Sequence, residues 1–429
     1  MREKELFDDL ISQGISLMTK ESYESAKDCF MKAIEVDMRS AEAYVHLGNA
    51  YANLQQFDDA MDAFKKALIL KPESGDILFA MGNIYLLKEE RLKAIELFNQ
   101  AEQAGYKTAD MYQIMAMVFL DVNDTAQALR NITRAIAVAP LDGTLRLFKA
   151  RLYLIDNRYD EALDTLDEMA KVLPDAFEAY DLRGQILCGM KKYEQALKVC
   201  EDGCSRFPED ADLALCKLKV LVESDRIEDA ETFLAKMKQE KLYERVLKMA
   251  AMQEVTILLK RVKVEEALML LAETNRKLGG DADVLYLLLD LQGKAGKLDD
   301  ALKTAEELLT YDINVLYKST ALYFRAFAMD KQGKKTEAKK EFKKLTKVFR
   351  KYTIEDPGFY EGYIFRLLCH TNLGEYAQAL ELADYLENMY PERGDGNAFR
   401  HFIYKEMGDM DKANQEKEKA QALNPKFIM

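Results

Sequence analysis

The chain has 429 residues, 61 basic against 74 acidic side chains, a formal net charge of −13, six cysteines, seven prolines and no tryptophan. The acidic balance argues against broad nucleic-acid binding, which needs cations against phosphate. No apolar run approaches the roughly 18 residues that span a bilayer, the charged start Met1-Arg2-Glu3-Lys4-Glu5 is not a secretory signal, and the cysteines lack a secreted disulfide pattern, so a reducing, cytoplasmic setting is expected.

In chain order, the predicted elements form one recurring unit. Ala26, Ala60, Ala94, Ala128, Ala162, Ala196 and Ala230 are each 34 residues apart; Ala267, Ala301, Ala338, Ala379 and Ala413 follow at gaps of 37, 34, 37, 41 and 34. With the alanine at position 20 of a 34-residue unit, the second unit carries Tyr44 at position 4, Leu47 at 7, Gly48 at 8, Tyr51 at 11, Phe64 at 24, Ala67 at 27 and Pro72 at 32. Small residues at 8, 20 and 27 let two helices approach, and large ones at 4, 11 and 24 fill the gaps. Each helix is about 14 residues, or roughly 21 Å long. The turn between them is polar, as in Gln55-Gln56-Phe57-Asp58-Asp59. Pro72, Pro140, Pro174, Pro208, Pro391 and Pro425 all fall at position 32, where a helix must have ended.

Seven regular repeats (7–40, 41–74, 75–108, 109–142, 143–176, 177–210 and 211–244) form an expected N-terminal segment, 1–244. Five divergent ones form a C-terminal segment, 245–429, with insertions at 245–247, 316–318 and 353–359, where kinks are expected. The first segment is acidic, with 31 basic and 45 acidic side chains; the second is nearly neutral, with 30 and 29. From the seventh repeat on, position 8 is mostly large: Leu218, Val255, Leu289, Leu367 and His401, with Ala326 the exception. Lys417 replaces the aromatic at position 24 of the last repeat, as suits a polar cap, and the apolar tail Lys426-Phe427-Ile428-Met429 is expected to fold back or meet a partner.

This pattern resembles the tetratricopeptide repeat (TPR), a helix–turn–helix unit of this period. The resemblance implies an all-α fold, a right-handed α-α superhelix (TPR solenoid) of about twelve repeats. It implies a non-catalytic scaffold that binds a protein or peptide on a concave face lined by the first helix of each repeat. The alternative is a peptide-sensing regulator whose superhelix changes pitch on binding. Residues on that face, at positions such as 5 and 9, are Ile11, Ile15, Val45, Asn49, Asn53, Phe79, Asn83, Gln113, Met117, Arg151, Gln185 and Lys219. Their amides suit an extended peptide backbone. The acids at position 2 favour the first turn of a helix without needing a basic partner. The chaperone-tail-binding subclass is not matched: Asn49 fits its pattern, but Val45, Ala80, Asp110 and Ile114 do not.

Position 7, usually leucine in this family, holds Lys149, Arg183 and Lys217 in consecutive repeats, then Arg325, Arg366 and Arg400. These form a possible cation ladder for an acidic segment, or cations whose stems pack while their charges reach an acidic neighbour. The segment Lys331–Lys351 has ten basic and two acidic residues around Phe342, Leu345, Phe349 and Tyr352, which makes an amphipathic helix with a lysine-rich outer face. Cys188, Cys200, Cys204 and Cys216 lack zinc-site spacing and read as core residues. No phosphate loop, dinucleotide fingerprint or metalloprotease motif is present. No cofactor, metal or enzymatic activity is expected, nor a nucleic-acid or membrane partner; oligomeric state is not readable from these residues.

Overall fold

The computed structural model describes residues 2–391 and 395–423, and helix is the only regular structure of any length among them. Pro425 and the tail 426–429 lie outside the described residues. The chain divides into two compact units, Met1–Val220 and Leu221–Met429. The first contains α1 (Arg2–Thr19) and α2 (Tyr23–Val36), α3 (Ala41–Asn53) and α4 (Phe57–Leu70), α5 (Gly75–Leu87) and α6 (Arg91–Gln103), α7 (Ala109–Asp121) and α8 (Thr125–Val138), α9 (Gly143–Ile155) and α10 (Tyr159–Val172), and α11 (Phe177–Gly189) and α12 (Tyr193–Arg206). Helix α13 (Ala211–Glu223) runs through the division. The second unit continues with α14 (Ile227–Gln239), the short α15 (Leu242–Arg245), α16 (Leu247–Lys260) and α17 (Val264–Leu278), α18 (Ala282–Lys294) and α19 (Leu298–Leu308), α20 (Val315–Lys331) and α21 (Lys335–Glu355), α22 (Tyr360–Leu373) and α23 (Tyr376–Met389), and α24 (Asp395–Met407) and α25 (Met410–Leu423). Apart from α15, these are twelve helix pairs among the described residues, one per 34-residue unit. The expected segment boundary at 244/245 falls within α15.

The pairs break where the sequence is polar. Position 15 of every repeat adopts a left-handed conformation: Glu21, Gln55, Glu89, Asn123, Asn157, Lys191, Asp225 and Val262, then Gly296, Gly333, Gly374 and Gly408, all with φ between 55° and 85°. One such residue reverses the chain with a two- or three-residue loop, so the two helices pack antiparallel. Second helices end two residues before Pro72, Pro140, Pro174, Pro208 and Pro391. Ser40 and Thr108 cap the next first helices, accepting from the backbone N–H of Ala43 and Met111 at 3.2 Å.

All twelve repeat alanines have no exposed surface. Beside them, the ring at position 24 lies over the glycine at position 8, as Phe64 does over Gly48 and Phe98 over Gly82. Two of the divergent repeats keep this contact by exchanging volumes. Leu289 faces Ala305 and Leu367 faces Ala383, all fully buried, while Ala326 returns with Phe342. A large residue at position 8 therefore does not loosen those repeats, because the pair fills a similar volume with its members reversed.

Two of the insertions lengthen helices. Residues 316–318 lie in α20, which has 17 residues, and 353–355 complete α21, which has 21, against 13 or 14 in most others. Residues 245–247 join α15 to α16.

Candidate functional site

First helices of successive repeats touch one another, as α1 touches α3, α3 touches α5 and α9 touches α11. Their shared register brings one row of side chains to position 9: Ile15, Asn49, Asn83, Met117, Arg151, Gln185 and Lys219. Ile15 and Met117 are exposed (42% and 52%), Asn49 and Asn83 are half-buried, and Arg151, Gln185 and Lys219 are exposed. The side-chain amides of Asn49 and Asn83 have no hydrogen-bond partner among the described residues. Gln185 donates to Asp181 at 2.8 Å. Burial raises the Asp181 carboxyl above its ordinary pKa, against the opposing pull of that bond.

The other expected face residues are placed less freely. Ile11 is buried in the core of the first repeat, and Val45 packs in the next cluster. Phe79 stacks on Tyr106 with centroids 5.1 Å apart and also meets Phe98, so its ring is packing material within the third repeat. Gln113 is half-buried on α7. Asn53 donates to the Asn49 carbonyl one turn back at 2.9 Å.

The position-7 cations are not aligned as a free ladder. Arg183 pairs with Asp167, and Lys217 with Glu201 at 3.2 Å; each acid sits sixteen residues earlier, on the second helix of the preceding repeat. Lys149 has Thr133 at the equivalent place and instead lies over the Tyr153 ring, 5.7 Å from its centroid. The second unit keeps the rule in part: Arg325, with Leu309 at that place, meets Glu341 of its own repeat at 3.7 Å. Arg400 meets Asp384 at 2.7 Å, and also Glu387 and Glu416; Glu254 stands at position 7 and takes Lys238 from the preceding repeat at 2.6 Å.

The opposite side holds cavities that recur with the repeat. Each lies between two successive second helices and is floored by position 7, with 4, 11 or both, of the first helix between them. One of about 630 Å³ opens between α10 and α12 over Tyr180 and Arg183. Others lie between α2 and α4 over Tyr44 and Tyr51, between α17 and α19 over Leu288 and Gln292, and between α21 and α23 over Tyr363, Arg366 and His370. Sequence reasoning treated positions 4 and 11 as gap filler. Their exposed edges follow from the wider spacing of the second helices, which no residue pattern within one repeat encodes.

Cys188, Cys200, Cys216 and Cys369 are buried, and the Cys200 and Cys216 sulfurs are 3.5 Å apart beside Gly184. Among the described residues no group of three or more His, Cys, Asp or Glu side chains is arranged to hold a metal, and no helix is long and apolar enough to cross a membrane.

The tetratricopeptide repeat family matches the chain at residues 11–37, 41–74 and 115–177. No curated protein matches it. Among solved structures, it is similar to YrrB, described as a TPR protein with an unusual peptide-binding site, at 23% identity over 43% of this chain and 95% of that one, with a TM-score of 0.38. It is similar to pilF of Pseudomonas aeruginosa at 18% identity over 50% and 97%, with a TM-score of 0.40, and to the Cut9–Hcn1 hetero-tetramer of the APC/C at 12% identity over 98% and 94%, with a TM-score of 0.43. With the family matches at residues 11–37, 41–74 and 115–177, and helix pairs that recur in step with the alanines among the described residues, the chain is a tetratricopeptide repeat protein.

Proposed function

We propose that this protein is a non-catalytic scaffold that holds an extended segment of a protein partner along the position-9 row of α1, α3, α5, α7, α9, α11 and α13. The observation that supports this reading is the pair of unspent amides on Asn49 and Asn83, flanked by the exposed Ile15 and Met117. Apolar side chains and free amides together suit a peptide, whose backbone needs hydrogen bonds and whose side chains need an apolar bed. Touching helices lie roughly 8–10 Å apart and an extended chain advances about 3.4 Å per residue, so each rung would meet about every third peptide residue. Arg151 and Lys219 at the far end of the row favour an acidic stretch in the partner there.

The test is affinity capture with wild type against a variant carrying Asn49→Ala, Asn83→Ala and Met117→Glu, after thermal melts show that both are folded. Loss of a partner from the variant supports the row. Capture of the same partners at the same yield removes the assignment.

A further inference from the structure

The extended α21 and the pair α22–α23 enclose a cavity of about 510 Å³, within the range of small-ligand sites. Its lining carries Lys347, Arg350 and Arg366, and Glu381 is the single carboxylate. Arg366 is a position-7 cation that lacks the acid which Arg183, Lys217 and Arg400 find sixteen residues earlier. Arg183 has Asp167 there and Arg400 has Asp384; Arg366 has Arg350. No ion pair reaches Arg366 among the described residues. Its Nη1 donates to Thr353 Oγ1 at 3.3 Å, and its buried Nε has no acceptor. Burial, and then repulsion from Arg350, pull the guanidinium below its ordinary pKa. An unsatisfied charged donor of this kind is costly to a fold. It is held at the wall of an open cavity, with two further cations beside it.

We propose that this cavity binds a phosphoryl group, with Arg366 as its forked anchor and Arg350 and Lys347 completing the charge. The chemistry selects a dianion over a single carboxylate, because Lys347, Arg350 and Arg366 against Glu381 leave two positive charges, and one negative charge would leave one of them uncompensated. Thr346 adds a hydroxyl to the lining, and the paired rings of Tyr363 and Tyr385, 4.7 Å apart, form an apolar wall. The insertion at 353–359 helps to build the site: it carries α21 on to Glu355 and supplies Thr353, which holds Arg366. The site belongs to the second unit and shares no residue with the position-9 row, so either assignment can fail without the other.

The experiment is calorimetric titration of the full chain at low salt with inorganic phosphate, phenyl phosphate, a phosphoserine peptide and its unphosphorylated twin. At least one phosphorylated probe binds wild type. Arg350→Glu weakens it at least about tenfold and raises the melting temperature, because Arg366 then gains its acid. Arg366→Met also abolishes binding while remaining folded. A phosphopeptide that binds at least about tenfold tighter than inorganic phosphate assigns the group to a protein partner; equal or tighter binding of the small probes assigns it to a free phosphorylated metabolite. The proposal is overturned if no phosphorylated probe binds, if binding survives in both variants, or if the unphosphorylated peptide binds as well as its twin.

Discussion

Gly48 lies so close beneath Phe64 that a Cβ on it would stand 2.6 Å from the ring, inside any tolerable contact. Phe64 is 1% exposed and cannot swing away into solvent. Gly48→Ala is therefore expected to destabilise the first unit by about 1–3 kcal/mol, the usual cost of overpacking, although alanine is the better helix former. Urea unfolding followed by circular dichroism measures it. Adding Phe64→Leu to Gly48→Ala should recover part of the loss, and a fully additive double variant would contradict this account.

Val262 should be replaceable with profit. It is the β-branched member of the position-15 turn set, held at φ 61° and 83% exposed. A left-handed conformation costs a non-glycine residue roughly 1–2 kcal/mol, while glycine adopts it freely. Val262→Gly is expected to stabilise by about 1 kcal/mol once the extra flexibility of the unfolded chain is counted. A lower melting temperature for this variant would refute the strain argument.

Acid should weaken the last repeat through Glu416. Burial works to raise its pKa, but hydrogen bonds from Lys419 and Arg400 outweigh it and hold the carboxyl below its ordinary 4.5. Because the folded state has the lower pKa, the stabilisation is fully present above about pH 4.5 and is lost as the pH falls through the folded value. Glu416→Gln should be less stable than wild type at neutral pH and should show a shallower loss below 4.5, read from melts across pH 3–7.

Thiol chemistry should separate the six cysteines into two classes. Cys29 and Cys204 are half-buried; Cys188, Cys200, Cys216 and Cys369 are buried. The Cys200 sulfur, which shares a hydrogen bond with Cys216, and burial push the Cys216 thiol up, and burial does the same to Cys369. Native alkylation followed by peptide mass spectrometry should label positions 29 and 204 first. The other four should react only after denaturation, and early labelling of Cys216 would contradict its packing.

The helix pairs were legible because their determinants are local. An alanine every 34 residues, a proline two places past each of several helices and a polar turn all act within one repeat, and each landed where the pattern put it. The exchange of Leu289 with Ala305 was not legible from position 8 alone, since it shows only when both members are read as one volume. The position-9 row was readable as a register; that Phe79 belongs to the core while Met117 does not depends on Tyr106 reaching over it. The position-7 cations were readable as residues, but their pairings lie in the neighbouring repeat. The lysine-rich segment Lys331–Lys351 read as a solvated face, and only the extension of α21 against α22 separates Arg350 from the rest of that run.

The sixteen-residue ion pairs bear on any attempt to rebuild this chain from its parts. Asp167 neutralises a cation it does not share a repeat with, and so do Glu201 and Asp384. Shuffling, duplicating or trimming modules would strand a charge wherever a new junction parts such a pair, unless the acid travelled with its successor. The modules look interchangeable, yet their order is written into their countercharges, and a designer who cuts this array should cut it half a repeat out of phase.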